Sequence, residues 1–356
     1  MLKILSIVGA RPQFIKAATV SRALKDYSKV REMILHTGQH YDPEMSEIFF
    51  KQLKISKPYK NLNVGSGNHG EQTAKMLIGI EKECVLKKPD CILIYGDTNS
   101  TLASALVASK LQIPLAHIEA GLRSFNRAMP EEINRVVSDR LSQFLFAPTP
   151  TAISNLKNEG MKKGIYHVGD VMIDAVFFFR DQALKIKLTN LIPQKSYFVL
   201  TIHRQENTDN FERLRQILMG LAKSPIPFIF PIHPRTQKTL KLANIQLPLS
   251  VKTIKPVSYL EMIALQLNSV AIWTDSGGMQ KEAVVLRKSV FTLREETEWV
   301  ETVESGWNQL LGADSLKIES ALLSRNWEKK NAPFPVRKFY GDGKASHKIA
   351  RIVSRI

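Results

Sequence analysis

The chain contains 356 residues, 44% of them hydrophobic, which is long and apolar enough to bury the cores of about two globular domains. Its 50 lysines and arginines outnumber 33 acidic residues and give a formal net charge of +17, but the cations are scattered, without a run of five or an aromatic RNA-binding signature. We therefore interpret the charge as a general compositional bias, which leaves an anionic small ligand open and disfavours nucleic acid as a partner. No apolar run is long enough for a membrane helix, and Cys84 and Cys91 form no metal pattern, so we expect a reduced cytoplasmic protein with no membrane partner.

Short apolar strands alternate with amphipathic helices along the whole chain. The first series of predicted strands is Lys3–Val8, Met33–Thr37, Cys91–Tyr95, Leu115–Ile118, Phe144–Ala147 and Tyr166–Val168. The second series is Tyr197–Ile202, Phe228–Ile232, Val251–Ile254, Val270–Thr274 and Val290–Leu293. The predicted helices include Thr98–Lys110, Glu131–Ser142, Phe211–Ala222, Tyr259–Leu267 and Lys344–Ile356. The alternation predicts two α/β domains, each a doubly wound, Rossmann-like parallel sheet covered by helices on both faces.

The boundary between the two domains is predicted near Asp170–Asp174, after a strand that ends in Val-Gly-Asp. This gives an N-terminal domain of residues 1–172 and a C-terminal domain of residues 173–343, with the helix of residues 344–356 returning to the first domain. In each domain, the carboxyl ends of the strands are the expected ligand-binding edge.

Carboxylates follow two neighbouring strands of the first domain and open the helix after them. Asp97 follows CILIYG, Glu119 follows PLAHI, and Glu131 stands with Glu132 at the next helix start, one turn before Arg135. Since the ends of parallel strands share one crevice, these acids are expected to meet there, where they would repel each other and shift each other's pKa values. Such an arrangement suits proton transfer. The alternatives are structural, with Asp97 as a helix cap and Glu131 as a partner of the helix dipole.

The loop Gly9-Ala10-Arg11-Pro12 follows the first strand, and Lys16 comes one turn later. A glycine there lets the backbone approach a ligand, and the cations Arg11 and Lys16 at a helix start suit an anion. An ordinary strand-to-helix turn with surface cations is the equal alternative. The pattern is not G-x-G-x-x-G, so dinucleotide binding has little support.

The strand ends of the second domain carry histidines, a small-residue loop and an arginine. His203 ends one strand and His233 ends the next; a lone histidine is more typical of a satisfied core residue, but two at equivalent strand ends favour a function. Thr274-Asp275-Ser276-Gly277-Gly278 then forms a strand end, loop and helix start whose backbone N–H groups predict a phosphate site. Glu282 is expected to accept from ribose hydroxyls, and Arg294 to neutralise phosphate charge. A plain glycine-rich turn is the alternative.

These motifs resemble those of the non-hydrolysing UDP-N-acetylglucosamine 2-epimerases over essentially the whole chain. GARPQFIK is similar to the family's opening, YGDTNST to its G-D-T motif, and TDSGGMQKEA and YGDGKAS to its second-domain and C-terminal motifs. HIEAGLR…PEEINR resembles its long central signature, which is specific enough to make a chance match rare. The resemblance implies a GT-B fold, with UDP held mainly by the second domain and the sugar in the cleft between the domains, in a homodimer that needs no cofactor.

The resemblance also implies a reaction and its residues. It implies that UDP-N-acetylglucosamine is converted to UDP-N-acetylmannosamine by elimination and re-addition of UDP, as a precursor of cell-surface polysaccharide. The catalytic groups that it implies around the sugar are Asp97, Glu119, Glu131 and His203. The UDP- and sugar-binding residues that it implies are Arg11, Lys16, Arg135, His233, Met262, Ser276, Gly277, Gly278, Glu282 and Arg294.

Three departures from the family pattern are similar to the subfamily that acts on UDP-2,3-diacetamido-2,3-dideoxyglucuronic acid, which leaves that substrate as an alternative. The opening has GARPQ where GTRPE is commoner, the spacer SFNRAM is short, and Trp299 stands where an arginine is typical. Trp299 is expected to offer an aromatic face to the sugar, and Arg127 in the spacer to meet a C6 carboxylate.

Three rival functions remain open. A GT-B glycosyltransferase would use the same nucleotide site, but it needs an acceptor pocket and fewer carboxylates around C2. A hydrolysing epimerase would release UDP and free sugar. A basic α/β protein that binds nucleic acid is the third, and the scattered charge disfavours it.

Overall fold

The computed structural model describes residues 1–39, 55–188, 192, 196–328 and 333–356. The chain divides into two compact units. The first unit contains Met1–Ala175 and Val336–Ile356, and the second contains Val176–Pro335. The C-terminal segment therefore belongs to the same unit as the N-terminus.

The described strands of the first unit form one parallel sheet. They are β1 (Leu2–Val8), β2 (Val30–His36), β3 (Lys60–Asn61), β4 (Cys91–Tyr95), β5 (Leu115–Ile118), β6 (Phe144–Ala147) and β7 (Ile165–His167). Their order across the sheet is β3-β2-β1-β4-β5-β6-β7, so the direction of winding reverses between β1 and β4. Doubly wound sheets bind ligands at the carboxyl ends of the strands beside such a reversal.

The second unit repeats this plan with a sheet of its own. Its described strands are β8 (Phe198–Thr201), β9 (Phe228–Pro231), β10 (Val251–Ile254), β11 (Ala271–Thr274), β12 (Ser289–Thr292) and β13 (Asn308–Leu310). They are parallel in the order β10-β9-β8-β11-β12-β13, and the winding reverses between β8 and β11. The carboxyl ends of β8 and β11 are therefore the expected ligand edge of this unit.

Helices connect the strands and cover the sheets. In chain order, those described are α1 (Arg11–Leu24), α2 (His69–Lys87), α3 (Asn99–Lys110), α4 (Pro130–Leu141), α5 (Pro150–Asn158), α6 (Val171–Ala183), α7 (Gln205–Thr208), α8 (Phe211–Leu221), α9 (Pro234–Leu242), α10 (Tyr259–Asn268), α11 (Gly277–Val285), α12 (Val300–Glu304), α13 (Ser315–Leu323), α14 (Val336–Phe339) and α15 (Ala345–Val353). None of them is long and apolar enough to cross a membrane.

The strands β4, β5, β8, β9 and β11 are buried from end to end, which is why they read as continuous apolar runs in the sequence. All five residues of β4 have no exposed surface, as expected for a strand covered by helices on both faces. In the second unit, Trp273 stacks on Phe291 with ring centroids 4.3 Å apart, and Phe198 and Phe228 pack against its edges. Each unit thus has its own hydrophobic core.

The C-terminal helix α15 is held to the first unit by a buried carboxylate on α6. Asp174 accepts hydrogen bonds from the backbone N–H groups of Ala345 (3.2 Å) and Ser346 (2.7 Å) and from the Ser346 hydroxyl (2.6 Å). Free N–H groups at the start of α15 are satisfied in this way, and α15 then packs against α1.

Most of the predicted elements are confirmed, together with the predicted α/β class and its two Rossmann-like sheets. Each of the eleven predicted strands overlaps an observed one. The strands β3 and β13 were not predicted. The first has two residues and the second reads Asn-Gln-Leu, so neither carries the apolar signal of a buried strand.

The carboxyl end of β2 carries a buried histidine that makes the stability of the protein depend on pH. His36 is 1% exposed, and its Nδ1 accepts a hydrogen bond of 2.6 Å from the backbone N–H of Gly38. Burial lowers the pKa of His36 from its ordinary value to about 4. Because the unfolded chain then takes up this proton at higher pH than the folded chain does, the free energy of unfolding falls as the pH drops from about 6.5 towards 4.

Between pH 7 and pH 5, we expect the wild type to lose about 2 kcal/mol more unfolding free energy than His36→Asn, whose amide oxygen can replace the Nδ1 acceptor without titrating. Urea denaturation of both proteins at the two pH values measures the difference. Equal losses of unfolding free energy in the two proteins would show that burial does not lower the pKa of His36.

Candidate active site

An ion pair lies at the carboxyl end of the first sheet, beside the reversal between β1 and β4. Lys16 of α1 donates to the carboxylate of Glu119, and each side chain is 9% exposed. A Cβ atom on Gly96 would lie 3.0 Å from Lys16 Nζ and 3.3 Å from Glu119 Oε2. Glycine is therefore required at position 96, both for this close approach and for its φ of +64°.

Glu119 occupies a strained backbone conformation. Its φ is +77°, although it is not a glycine, and its N–H and that of Ala120 both donate to the carbonyl of Phe146 at 3.1 Å. Such a conformation costs on the order of 1–3 kcal/mol and persists only where the surroundings impose it, most often at functional sites. Sequence reasoning singled out Glu119 but had no means of seeing this strain.

Asp97 is held by the helix that follows the central signature. Arg135 Nη2 donates to Asp97 Oδ2 at 2.5 Å, while Nη1 donates to Glu132 at 2.9 Å. Asn134 Nδ2 donates to the backbone carbonyl of Asp97 at 2.9 Å. The Asp97 side chain remains 30% exposed. Arg135 thus fixes the carboxylate of Asp97, and α4 fixes both the side chain and the backbone at this position.

The structural alternative for Asp97 is wrong, because the N-cap of α3 is the next residue. Thr98 has extended backbone and its hydroxyl accepts from the N–H of Thr101. Glu132 has a structural task, since it accepts from the backbone N–H groups of Ser124 and Phe125 at 2.9 and 3.0 Å. Its neighbour Glu131 lies in the first turn of α4, partly exposed.

At the reversal in the second sheet, a buried aspartate organises the loop after β8. Asp275 Oδ1 lies 3.0 Å from His203 Nδ1, and Asp275 Oδ2 accepts from the backbone N–H groups of His203 (2.8 Å) and Arg204 (2.9 Å). Although burial favours the neutral acid, His203 and the backbone donors lower the pKa of Asp275. Sequence reasoning treated Asp275 only as part of the phosphate loop and missed this role.

The predicted phosphate loop forms the start of α11. Ser276 is the N-cap, with extended backbone, and Gly277 and Gly278 are the first residues of the helix. A Cβ atom on Gly277 would lie 3.3 Å from Trp299 Nε1 and 3.6 Å from Glu298 Oε2. The absence of a side chain at position 277 therefore lets Trp299 and Glu298 pack close to a helix terminus that carries partial positive charge.

The remaining predicted residues of the second unit, which are Glu282, His233 and Met262, lie in different surroundings. Glu282 is 4% exposed and accepts from Gln266 Nε2 at 2.9 Å. His233 is the N-cap of α9, and its ring centroid lies 6.4 Å from that of His203. Met262 lies on α10, partly exposed. His203 and His233 thus lie together near β8 and β9, whereas Glu282 points into the unit.

Arg294 differs from the expectation that it faces a phosphate. It is 1% exposed, and its guanidinium donates to Glu206 at 3.1 Å and to Glu298 at 3.2 Å. Burial opposes its positive charge, but Glu298 and Glu206 raise the pKa of Arg294. The guanidinium therefore holds two carboxylates in place, and the predicted contact with phosphate stays a prediction.

Trp299 and Arg127 were expected to select the sugar, and the structure shows the first buried and the second at the surface. Trp299 is 4% exposed and Lys281 Nζ lies 3.7 Å above its ring, so the prediction that it offers an open aromatic face is wrong. Arg127 is exposed and lines a surface depression with Arg140 and Met161. The side chain of Arg11, at the start of α1, lies outside the described structure.

Within the described part of the chain, no group of three or more histidine, cysteine or carboxylate side chains is arranged to hold a metal ion. What the structure brings together in the first unit is a lysine, two carboxylates and an arginine at one sheet edge. In the second unit it brings together a histidine–aspartate pair and the start of helix α11. The first group suits proton transfer and the second suits an anionic ligand.

Comparisons with known proteins extend over the whole chain. The sequence profile of the family described as UDP-N-acetylglucosamine 2-epimerase matches residues 22–354. The chain is 49% identical over 367 residues to a UDP-N-acetylglucosamine 2-epimerase homolog of Methanococcus maripaludis, and the match covers 100% of both chains. It is 48% identical over 362 residues, again with 100% of both covered, to the UDP-2,3-diacetamido-2,3-dideoxy-D-glucuronate 2-epimerase of Pseudomonas aeruginosa.

A solved structure is similar in fold throughout. The crystal structure of Methanocaldococcus jannaschii UDP-GlcNAc 2-epimerase in complex with UDP-GlcNAc and UDP superposes with a TM-score of 0.94, at 44% identity and with 100% of both chains covered. The predicted GT-B fold class is confirmed by this likeness. The roles predicted for individual side chains stay predictions.

Proposed function

Because this chain belongs to the UDP-N-acetylglucosamine 2-epimerase family, we propose that it inverts C2 of a UDP-N-acetylhexosamine, interconverting UDP-GlcNAc and UDP-ManNAc without net hydrolysis. The observation that carries the proposal is the strained Glu119, paired with Lys16 at the ligand-binding edge of the first sheet. A purely structural acid has no need of a strained backbone and a partly buried cation at that edge.

Inversion at C2 requires a proton to leave one face of the sugar and another to arrive at the opposite face. In the proposed route, a carboxylate takes the C2 proton while the bond from C1 to the UDP oxygen breaks, which leaves a C1–C2 double bond and free UDP in the site. Protonation of C2 from the other face and return of UDP to C1 complete the inversion. Asp97, Glu119 and Glu131 are the proposed acid–base groups, with Arg135 and Lys16 setting the positions of the first two.

UDP must be held while it is separated from the sugar. The start of α11 supports this task, because Gly277 and Gly278 follow the N-cap Ser276 and present backbone N–H groups at a positive helix terminus. His203, oriented by Asp275, is the proposed group beside the departing diphosphate. Donors that are already in position stabilise negative charge as it develops on the leaving oxygen.

Further parts of the proposal rest on the resemblance in sequence. The protein is proposed to work as a homodimer in the cytoplasm, without a cofactor, and to supply a precursor for cell-surface polysaccharide. Light scattering on the purified protein measures whether it is a dimer. A monomeric mass at working concentration would contradict it.

A second substrate is favoured by one specific observation. The relative that acts on UDP-2,3-diacetamido-2,3-dideoxyglucuronate is as similar to this chain as the epimerase homolog is, at 48% against 49% identity. The reaction at C2 would be the same for both sugars. Arg127 was expected to bind the C6 carboxylate of the uronate sugar. The described residues that line the surface depression at Arg127 include none of Asp97, Glu119 and Glu131, so the depression gives this expectation no support.

The experiment that tests the proposal is incubation in D2O with each nucleotide sugar in turn. We expect deuterium at C2, both C2 epimers, and intact nucleotide sugar at equilibrium for at least one of the two. Free UDP and free sugar as the main products would instead indicate the hydrolysing reaction. No exchange at C2, with transfer of the sugar to an added acceptor, would indicate a glycosyltransferase.

Binding of the nucleotide provides the control for that experiment. UDP at one hundred times its dissociation constant should stabilise the fold by about 2.7 kcal/mol, whereas sulfate at equal concentration should not. A protein that shows UDP stabilisation but no exchange would be folded and competent to bind, so the failure would lie in the proposed chemistry.

A further inference from the structure

A buried histidine lies in the sequence between Asp97 and Glu119, two of the three predicted catalytic carboxylates, and has no role in the reaction described so far. His117 is on β5, two residues before Glu119, with no exposed surface. Its Nδ1 lies 2.7 Å from Asp139 Oδ1, and its Nε2 lies 2.7 Å from the backbone carbonyl oxygen of Gly96. Both partners are hydrogen-bond acceptors.

This geometry determines how many protons the ring carries. A neutral imidazole has one N–H and one bare nitrogen, so it can donate to only one of two acceptors. The bare nitrogen would then face an oxygen lone pair at 2.7 Å in a site without solvent, which is costly. Only the doubly protonated imidazolium donates to Asp139 and to Gly96 at once.

The charges that face His117 support the cation. Asp139 also accepts from Arg123 Nη1 at 2.7 Å and from the backbone N–H of Gly121 at 3.0 Å. Burial favours the neutral acid, but His117 and then Arg123 lower the pKa of Asp139. Arg123 in turn donates to Glu159 at 2.6 and 2.7 Å. Arg123 thus joins the carboxylates of Asp139 and Glu159, and His117 joins Asp139 to the carbonyl of Gly96.

Gly96 is the residue through which this chain of contacts reaches the site. Its N–H donates to the carbonyl of Ile118 at 3.0 Å, and its carbonyl accepts from His117. The backbone N–H and the carbonyl of this glycine, whose φ is positive, are therefore both held by hydrogen bonds. Asp97 follows immediately. Arg135 fixes the carboxylate of Asp97, whereas His117 fixes the peptide that precedes it.

We infer that His117 donates from both ring nitrogens, to Asp139 and to Gly96, and that it positions Asp97 through the carbonyl of Gly96. The charge of His117 is independent of the reaction, and the positioning role rests on the proposed function of Asp97. His117 is a positioning residue, because it contacts the loop and not the sugar.

The charge is tested by nuclear magnetic resonance on protein that carries isotope-labelled histidine. We expect two protonated ring nitrogens for His117, each coupled to its own slowly exchanging proton. The resonances are assigned by their absence from His117→Gln. A single protonated nitrogen at neutral pH would overturn the inference, whatever reaction the enzyme catalyses.

The positioning role is tested by two substitutions that each keep one of the two donors. The amide of His117→Gln reaches about as far as Nε2 and keeps a donor for Gly96, whereas that of His117→Asn reaches about as far as Nδ1 and keeps a donor for Asp139. We expect kcat for C2 exchange to fall on the order of 10²-fold in His117→Asn, because a shift of about 1 Å in a catalytic group has an effect of that size. In His117→Gln the loss should be less than about tenfold.

The ratio of the two losses separates positioning from general damage to the fold. KM for the nucleotide sugar and stabilisation by UDP should change little in either variant, because the second unit is untouched. Equal losses of kcat, or a change confined to KM, would overturn the positioning role. If the wild type itself showed no exchange at C2, the proposed function would fail, while the resonance experiment would still decide the charge of His117.

Discussion

Replacing Glu119 with glutamine is expected to lower kcat for C2 exchange by about 10²–10⁴-fold, the range that a positioned acid–base group contributes. Glutamine has almost the same shape and the same backbone preferences, so the strained φ of +77° imposes a similar cost on both proteins. What changes is the ability to carry a proton and the charge that faces Lys16. The measurement is the rate of deuterium incorporation at C2 under saturating nucleotide sugar.

The control for this variant is Glu71→Gln on α2. That carboxylate is exposed and pairs with Lys75 one turn later, a solvated surface contact that contributes little to stability. Its kcat should stay within about twofold of wild type, since it lies outside the machinery proposed for the reaction. Thermal unfolding with and without UDP shows whether Glu119→Gln is still folded. A folded Glu119→Gln that keeps normal exchange would remove Glu119 from the acid–base group.

The positions of the site residues along the sheet could be predicted from the sequence, because strands are marked by unbroken apolar runs. PLAHI is followed directly by Glu119, and CILIY is followed by one glycine and then Asp97. The carboxyl ends of neighbouring parallel strands meet at one edge of the sheet. The prediction needed only the strand ends to be right within about a residue. Asp97 and Glu119 were therefore placed correctly at the carboxyl ends of β4 and β5, and ligand binding there stays a prediction.

The partners of those residues could not be predicted, because they come from distant parts of the chain. Lys16 and Glu119 are 103 positions apart, and His203 and Asp275 are 72 apart. Nothing in the local pattern of either member indicates the other. The covering of Trp299 by Lys281 was missed for the same reason, since an aromatic residue after a strand reads equally well as exposed or buried.

The left-handed backbone at Glu119 shows a second limit of sequence reasoning. Positive φ is ordinarily signalled by glycine or asparagine, and Gly96, after the neighbouring strand, and Gly121, two residues after Glu119, do carry it. At Glu119 the same conformation is imposed by the carbonyl of Phe146, which accepts from two successive N–H groups. Tertiary contacts thus override the local preference at the residue where we propose that chemistry occurs.

The second large effect is expected from Asp275→Asn, which should lower kcat by about 10²–10⁴-fold with little change in KM. The asparagine carbonyl can still accept from the backbone N–H groups of His203 and Arg204, so the loop after β8 keeps its shape. Its NH2 group, however, would face His203 Nδ1 and favour the tautomer that carries its proton on Nε2. The ring of His203 would thereby lose the negatively charged partner that orients it beside the diphosphate.

The chain offers a matched control in its exposed histidine–aspartate pair. Asp26 lies 3.8 Å from His347, and the two side chains are 66% and 64% exposed. Asp26→Asn removes the same charge from the same kind of pair and should change kcat by less than about twofold, as expected for a solvated contact.

The pH dependence of stability separates a catalytic effect of Asp275→Asn from a structural one. Folding lowers the pKa of Asp275, so its carboxylate stabilises the fold at neutral pH, and that contribution is lost as the pH falls below the ordinary aspartate value of about 3.9. The variant should therefore be less stable than wild type at neutral pH, and the difference should narrow in acid. If kcat falls at neutral pH in protein that still binds UDP and melts above the assay temperature, the loss is one of orientation at His203. A folded variant with wild-type kcat would show that His203 needs no partner, and the second unit would then contribute only binding of the nucleotide.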